Sequence, residues 1–256
     1  MRWIVDFYRS SLGKKWVMAF SGAILFGFVF VHMAGNLKVY QGAETFNAYA
    51  EGLRTIGLPF FGREWLLWGA RLGLLGAVLL HMHAAWSTSR QSWAARQHRY
   101  KRREAVQMTY AERTMRFGGV IIALFVLYHL AHFTWGWNVV HPDFIPGDPY
   151  HNFVAGFSVW WVALIYLVAQ LFLGFHLYHG LWSMFQSIGW VPRTSRDWRR
   201  PFAATFALLV VLGNVSFPLA VLGGVIREDA AQRQVGPPPA GEPFDEGHAE
   251  PLEEPR

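Results

Sequence analysis

Seven histidines lie inside or at the edges of four apolar stretches: His32, then His81 and His83, then His129 and His132, then His176 and His179. The densest stretch is Phe175–Trp190, FHLYHGLWSMFQSIGW, where His176 and His179 fall on one face of a helix. An ionisable side chain inside a membrane helix is expensive, which makes it a functional candidate by default. A neutral imidazole has two uses at such a depth. It can hydrogen-bond a neighbouring carbonyl, or it can donate a nitrogen lone pair to a metal centre.

The elements that must position these rings follow from composition and charge. Apolar residues make up 53% of the 256-residue chain and charged residues only 16%. Several apolar runs reach the roughly 20 residues that span a bilayer core. Five spans are expected at about residues 16–36, 64–87, 117–137, 153–186 and 202–226, within one transmembrane domain over 1–226. The fourth is longer than a bilayer needs and should tilt or protrude. Between spans, GAETFNAYAEGLRTIGLP reads as a short amphipathic helix ended by Gly57 and Pro59, and residues 141–152 read as turns. The segment 227–256 is Pro-, Gly- and Glu-rich and is expected to be disordered. No cleavable signal is expected at the N-terminus, because the first apolar run is long enough to span.

The net charge of +6 invites a nucleic-acid partner. That reading is rejected, because the basic residues fall in blocks between apolar spans: 1–15, 88–116 and 189–200. The positive-inside rule then places the N-terminus in the cytoplasm and, with five spans, the C-terminus outside. The absence of cysteine excludes disulfides, thiolate catalysis, iron–sulfur ligation and c-type haem attachment.

On this topology the histidines sort by depth. His32 and His129 lie toward the outer side; His81 and His176 lie toward the inner side. Imidazoles from two facing helices at one depth are what a bis-histidine b-type haem requires. Four of the five helices are therefore expected to form a haem-binding bundle, in an all-α integral membrane protein. Gly27, Gly35, Gly73, Gly76, Gly118, Gly119, Gly174 and Gly180 would let flat rings approach backbone. The plainer reading, single histidines bonded to nearby carbonyls, stands beside this one. A tetrahedral metal site is disfavoured by the two ligand levels. The scarcity of Asp and Glu in the helices argues against a carboxylate-based transporter.

FVHMAGNL, GAETFNAYAEGL, LLHMHAAW with AARQHRY, the YHL around His129 and above all HLYHGLWSMFQSIGW occur in a familiar order. Over about residues 8–226 the chain resembles the dihaem cytochrome b membrane anchor of succinate dehydrogenase and fumarate reductase, the single-polypeptide five-helix type. The resemblance implies axial ligands at His32 and His129 for an outer haem b and at His81 and His176 for an inner one. It sets His83 aside, because two residues turn the side chain about 200° round the helix. His132 and His179 share a face with the ligands, and are read either as polar packing or as propionate or quinone contacts. Arg71 is read either as a partner of an outer propionate or as snorkelling to the interface. Trp16 and Ser21 are the places to look for quinone contacts. Where some relatives carry an acidic residue before the last ligand, this chain reads LFLGFH.

What the resemblance implies is a complex in a bacterial cytoplasmic membrane. Its partners would be an FAD-bearing flavoprotein, an iron–sulfur subunit carrying the clusters, the lipid bilayer and a membrane quinone, with menaquinone expected. The chain would not itself act on succinate; it would anchor the complex, relay electrons and contribute to the quinone site. Two alternatives remain at this stage: a haem-free anchor of the same complex, and the cytochrome b subunit of a formate dehydrogenase or hydrogenase.

Overall fold

The computed structural model describes residues 2–94, 110–190 and 197–228. Most of the basic block 88–116 and the tail beyond Glu228 lie outside the described residues. The regular elements among the described residues are all helical: α1 (Arg2–Arg9), α2 (Ser11–Asn36), a 3-10 turn (Leu37–Gln41), α3 (Ala43–Thr55), α4 (Trp65–Ala94), α5 (Tyr110–Phe133), α6 (Pro149–Ser158), α7 (Trp160–Ser187) and α8 (Arg199–Leu222). Five of these elements are long and apolar enough to cross a membrane: α2 with its 3-10 extension, α4, the Met115–Phe133 part of α5, α7 and α8. An all-helical membrane bundle follows, as the apolar runs predict.

Helix ends follow local chemistry. α2 starts earlier than hydropathy alone places it, because the Ser10 side chain caps it by accepting from the Gly13 N–H at 2.9 Å. α3 ends at Thr55, ahead of Gly57 and Pro59.

The expected fourth span, 153–186, is two helices. Val159 sits in an extended conformation (φ −84°, ψ 107°) between α6 and α7. Just before it, the Ser158 hydroxyl bonds back to the Val154 carbonyl at 2.7 Å, a contact that bends helices. The break is invisible to hydropathy, because apolar residues continue across it. The helix long enough to span is α7, and the first residues of the expected span belong to α6. α6 also begins inside the segment read as turns. Asp148 caps it, accepting from the His151 N–H at 3.0 Å, with Pro149 in the first turn. Asp148 accepts a second bond from the Asn47 amide of α3 at 2.9 Å. Asp148→Ala should therefore lower the stability of the purified protein by about 1–2 kcal/mol, the usual worth of an N-cap; a thermal melt would read it.

The spans form two closely packed pairs, α2 with α4 and α5 with α7, and α8 packs along α7 and also meets α2. α2 against α5 and α4 against α7 form no comparable packing. Small residues set the close approaches. A Cβ on Gly174 would stand 2.7 Å from Val211, and Gly213 faces the Met33 side chain. Gly35 likewise admits Tyr49 of α3. Gly35 and Gly174 thus serve protein packing, whereas Gly27, Gly73, Gly76 and Gly180 would meet nothing within 4 Å.

The bundle has two unlike ends. At the α3 end lies the main core, where Phe46, Tyr150, Phe153, Phe157, Tyr166 and Phe217 pack with Met33 and Val39. Ion pairs fasten its rim, Arg63 with Glu51 and Arg54 with Glu64 at 3.5 Å, and His151 is hydrogen-bonded to Glu228 at 2.5 Å. The Arg63 guanidinium, hydrogen-bonded to Glu51, holds that carboxyl below the usual range. The opposite, basic end carries the starts of α2, α5 and α8 and the ends of α4 and α7. There Arg116 of α5 lies 5.2 Å over the ring of Trp93 of α4.

Candidate functional site

Two pairs of imidazoles reach across between helices that otherwise pack little on each other among the described residues. His32 of α2 and His129 of α5 have ring centroids 5.8 Å apart, their planes at 86°. His81 of α4 and His176 of α7 are 6.1 Å apart, at 66°. Two imidazoles on opposite sides of one metal ion have centroids on the order of 6 Å apart, given metal–nitrogen bonds of about 2 Å. Both pairs have that spacing. They also stand at different levels. A Cβ on Gly119 would lie 3.9 Å from His176, which puts Gly119 at the level of the His81/His176 pair. From Gly119 to His129 the α5 axis rises about 15 Å.

The surroundings of each ring decide which nitrogen is available. The Nδ1 of His81 is 3.1 Å from the Met18 carbonyl and 3.3 Å from the Ser21 hydroxyl. Ser21 is itself occupied, donating to the Val17 carbonyl at 2.6 Å. The Met18 carbonyl can only accept, so His81 carries its proton on Nδ1 and keeps the Nε2 lone pair. That is the usual second-sphere arrangement of a metal-binding histidine. The Nδ1 of His129 is 3.3 Å from the Tyr166 hydroxyl. His176 has its Nδ1 buried with no hydrogen-bond partner among the described residues, an atom that the protein alone leaves unsatisfied. His32 stacks on Phe28 at 5.2 Å, and the Asn36 amide approaches its Nε2 at 3.4 Å, the limit of a hydrogen bond. The candidate donors are four imidazoles in two pairs, with Gly27, Gly73 and Gly76 leaving room beside the α2 and α4 backbones. They fit two bis-histidine haems.

The other sequence candidates have separate places. His83 hydrogen-bonds Tyr8 of α1 and stacks on it, away from the pair that uses its neighbour His81. His132 is fully buried and contacts Tyr166 and His141. His179 lies 5.7 Å from Trp182. Arg71 stacks over Trp68, one turn back on its own helix, at 4.9 Å. Trp16 packs on Phe20 at 5.5 Å.

At the basic end, Trp182 of the HGLWS stretch carries the Arg200 guanidinium on its face at 4.9 Å. Phe185, Trp190, Trp198 and Phe202 close the end of the α7/α8 pair. Arg199 forms a two-point pair with Asp197 at 2.7 and 2.9 Å, and this hydrogen-bonded guanidinium holds the Asp197 carboxyl below its ordinary range. Sequence reading missed Tyr166, His141 and Gly156, which meet around His132. The only signal for Tyr166 is a hydroxyl placed inside an apolar run.

A family model described as the succinate dehydrogenase/fumarate reductase transmembrane subunit matches residues 88–215. The chain belongs to that family. The matched segment contains His129 and His176, one member of each pair, while His32 and His81 precede it. Searches of curated proteins and of solved structures returned no significant match. Family membership makes the chain a multi-pass membrane subunit of succinate dehydrogenase or fumarate reductase, and sets aside a formate dehydrogenase or hydrogenase.

Proposed function

We propose that this membrane subunit is a dihaem cytochrome b that passes electrons between the iron–sulfur subunit of its complex and a membrane quinone. The observation that carries the reading is the presence of two cross-bundle histidine pairs, at 5.8 and 6.1 Å, on two levels of one bundle. His32 and His129 would hold one haem b, His81 and His176 the other. A bound haem supplies a one-electron iron couple. The chain's own residues do the rest. Met18 fixes the proton of His81 on Nδ1, and Tyr166 approaches Nδ1 of His129. The apolar helices exclude water from both levels, and axial ligation, hydrogen bonding and burial then tune each potential.

The basic end is the cytoplasmic face in this reading, since Lys14, Arg90, Arg116, Arg199 and Arg200 lie at the helix ends there. The iron–sulfur subunit docks on it and connects the chain to the FAD-bearing flavoprotein. Electrons enter at the His81/His176 level, nearer that face. The Trp16–Ser21 stretch of α2, beside His81, is the region proposed to meet the quinone. The membrane would be a bacterial cytoplasmic membrane and the quinone menaquinone.

The intact complex tests this. A reduced-minus-oxidised spectrum should show b-type bands, and a pyridine haemochrome assay about two haems per chain, one for each histidine pair. A complex that holds its flavoprotein and iron–sulfur subunit but has no haem band would make the chain a haem-free anchor.

A further inference from the structure

We infer that Tyr166 is a positioning residue for His129, and that it fixes the tautomer of that imidazole through a hydrogen-bonded chain ending at His132. The inference rests on the reading of His129 as an axial ligand. Tyr166 lies on α7, is 6% exposed, and has its hydroxyl 3.3 Å from Nδ1 of His129 and 2.9 Å from Nδ1 of His132. A phenol has one proton, so it can donate to only one of the two rings.

That leaves two possible directions. If Nδ1 of His132 carries a proton, it donates to the Tyr166 oxygen, and the phenol proton turns to His129. His129 would then hold its own proton on Nε2, with no lone pair there for a metal. In the opposite direction the phenol donates to His132, and its oxygen accepts from Nδ1 of His129. Only the second direction leaves Nε2 of His129 free to ligate. It requires His132 to be protonated on Nε2. That nitrogen is buried without a partner among the described residues, so this direction leaves an unpaired donor on His132, a cost that ligation at Nε2 of His129 must outweigh.

The surroundings hold the chain in place. The His132 ring is stacked between Tyr128, at 5.7 Å and 17°, and His141, at 4.7 Å and 29°. His141 is in turn tied to the Asn152 carbonyl at 2.8 Å, which is consistent with a proton on its Nε2. The Tyr166 ring is wedged edge-on between Phe125 at 5.0 Å and Phe157 at 4.8 Å. Neither ring can swing away, so the hydroxyl remains aimed at both nitrogens. A hydrogen bond from Nδ1–H to an oxygen raises the basicity of the ligating nitrogen, which favours ferric iron.

The test uses Tyr166→Phe in the assembled complex, with redox titration followed by visible spectroscopy and electron paramagnetic resonance. Two haems per chain should be retained, one midpoint potential should rise, and the other should not move. Repeating the change in a His176→Ala background identifies the shifted haem as the His32/His129 one. His132→Phe supplies a second route to the same result: without its acceptor the phenol proton competes for His129, and the same potential should move. Both potentials unmoved in both variants, with both haems present, would overturn the inference and leave the dihaem reading standing. A complex without haem before any substitution would instead overturn the reading beneath it.

Discussion

His176→Ala should remove one haem of two and leave the other spectroscopically intact. His176 contributes the α7 side of the pair whose rings are 6.1 Å apart, and its helix has little other packing on α4 among the described residues. Without the imidazole, the level retains only His81, which is held from behind by the Met18 carbonyl. The second pair stands about 15 Å away along the axis, and draws its ligands from α2 and α5. Nothing in its first or second sphere includes His176: Phe28 and Asn36 attend His32, and Phe125 and Tyr166 attend His129. The α7/α8 contact through Leu177, Ala207 and Val210 survives the truncation, so the bundle is expected to remain assembled. The pyridine haemochrome signal per chain should fall to about half, one bis-histidine site of two being lost. Equal loss of both haems from a folded, assembled complex would mean that the pairs are not independent sites.

How far the sequence could lead depends on what each feature answers to. Five membrane helices were legible because apolar length answers to bilayer thickness alone. The histidine positions stood out because ionisable groups in such runs are rare. What the sequence concealed depends on tertiary contact. The α6/α7 break at Val159 lies in an unbroken apolar run that gives no sign of it. His141 looks like an ordinary loop residue until α5 brings His132 against it. Arg71 could be read toward a propionate, but its position over Trp68 is a contact with its own helix that needs no cofactor. Gly35 and Gly174, read from sequence as room for a flat ring, admit Tyr49 and Val211. A glycine in a membrane helix records that something comes close, without saying what.

Gly156 is where such a close approach has the largest consequence. Gly156→Ala should destabilise the protein and disturb the His32/His129 level while sparing the other. A Cβ there would stand 2.7 Å from Cε1 and 2.9 Å from Nε2 of His132, and 3.2 Å from Nε2 of His141. Real Cβ contacts are essentially never that short, so something must move, and the neighbours have little freedom. His132 is fully buried, and His141 is 3% exposed and bonded to the Asn152 carbonyl of the same helix, α6. Overpacking of this kind costs roughly 1–3 kcal/mol, to which loss of the His141 bond adds about 1 kcal/mol. If His132 yields instead, its 2.9 Å bond to Tyr166 is strained, and with it the contact from Tyr166 to His129. Gly52→Ala is the matched control. Gly52 is an exposed position inside α3 with nothing within 4 Å of a Cβ, so the same substitution there should stabilise by about 0.5–1 kcal/mol through helix propensity. Thermal melts of the two variants in one detergent should therefore move in opposite directions. A Gly156→Ala protein that melts with the parent, and whose two haem potentials are both unchanged, would show that the His132–His141 stack has room to yield and does not bear on His129.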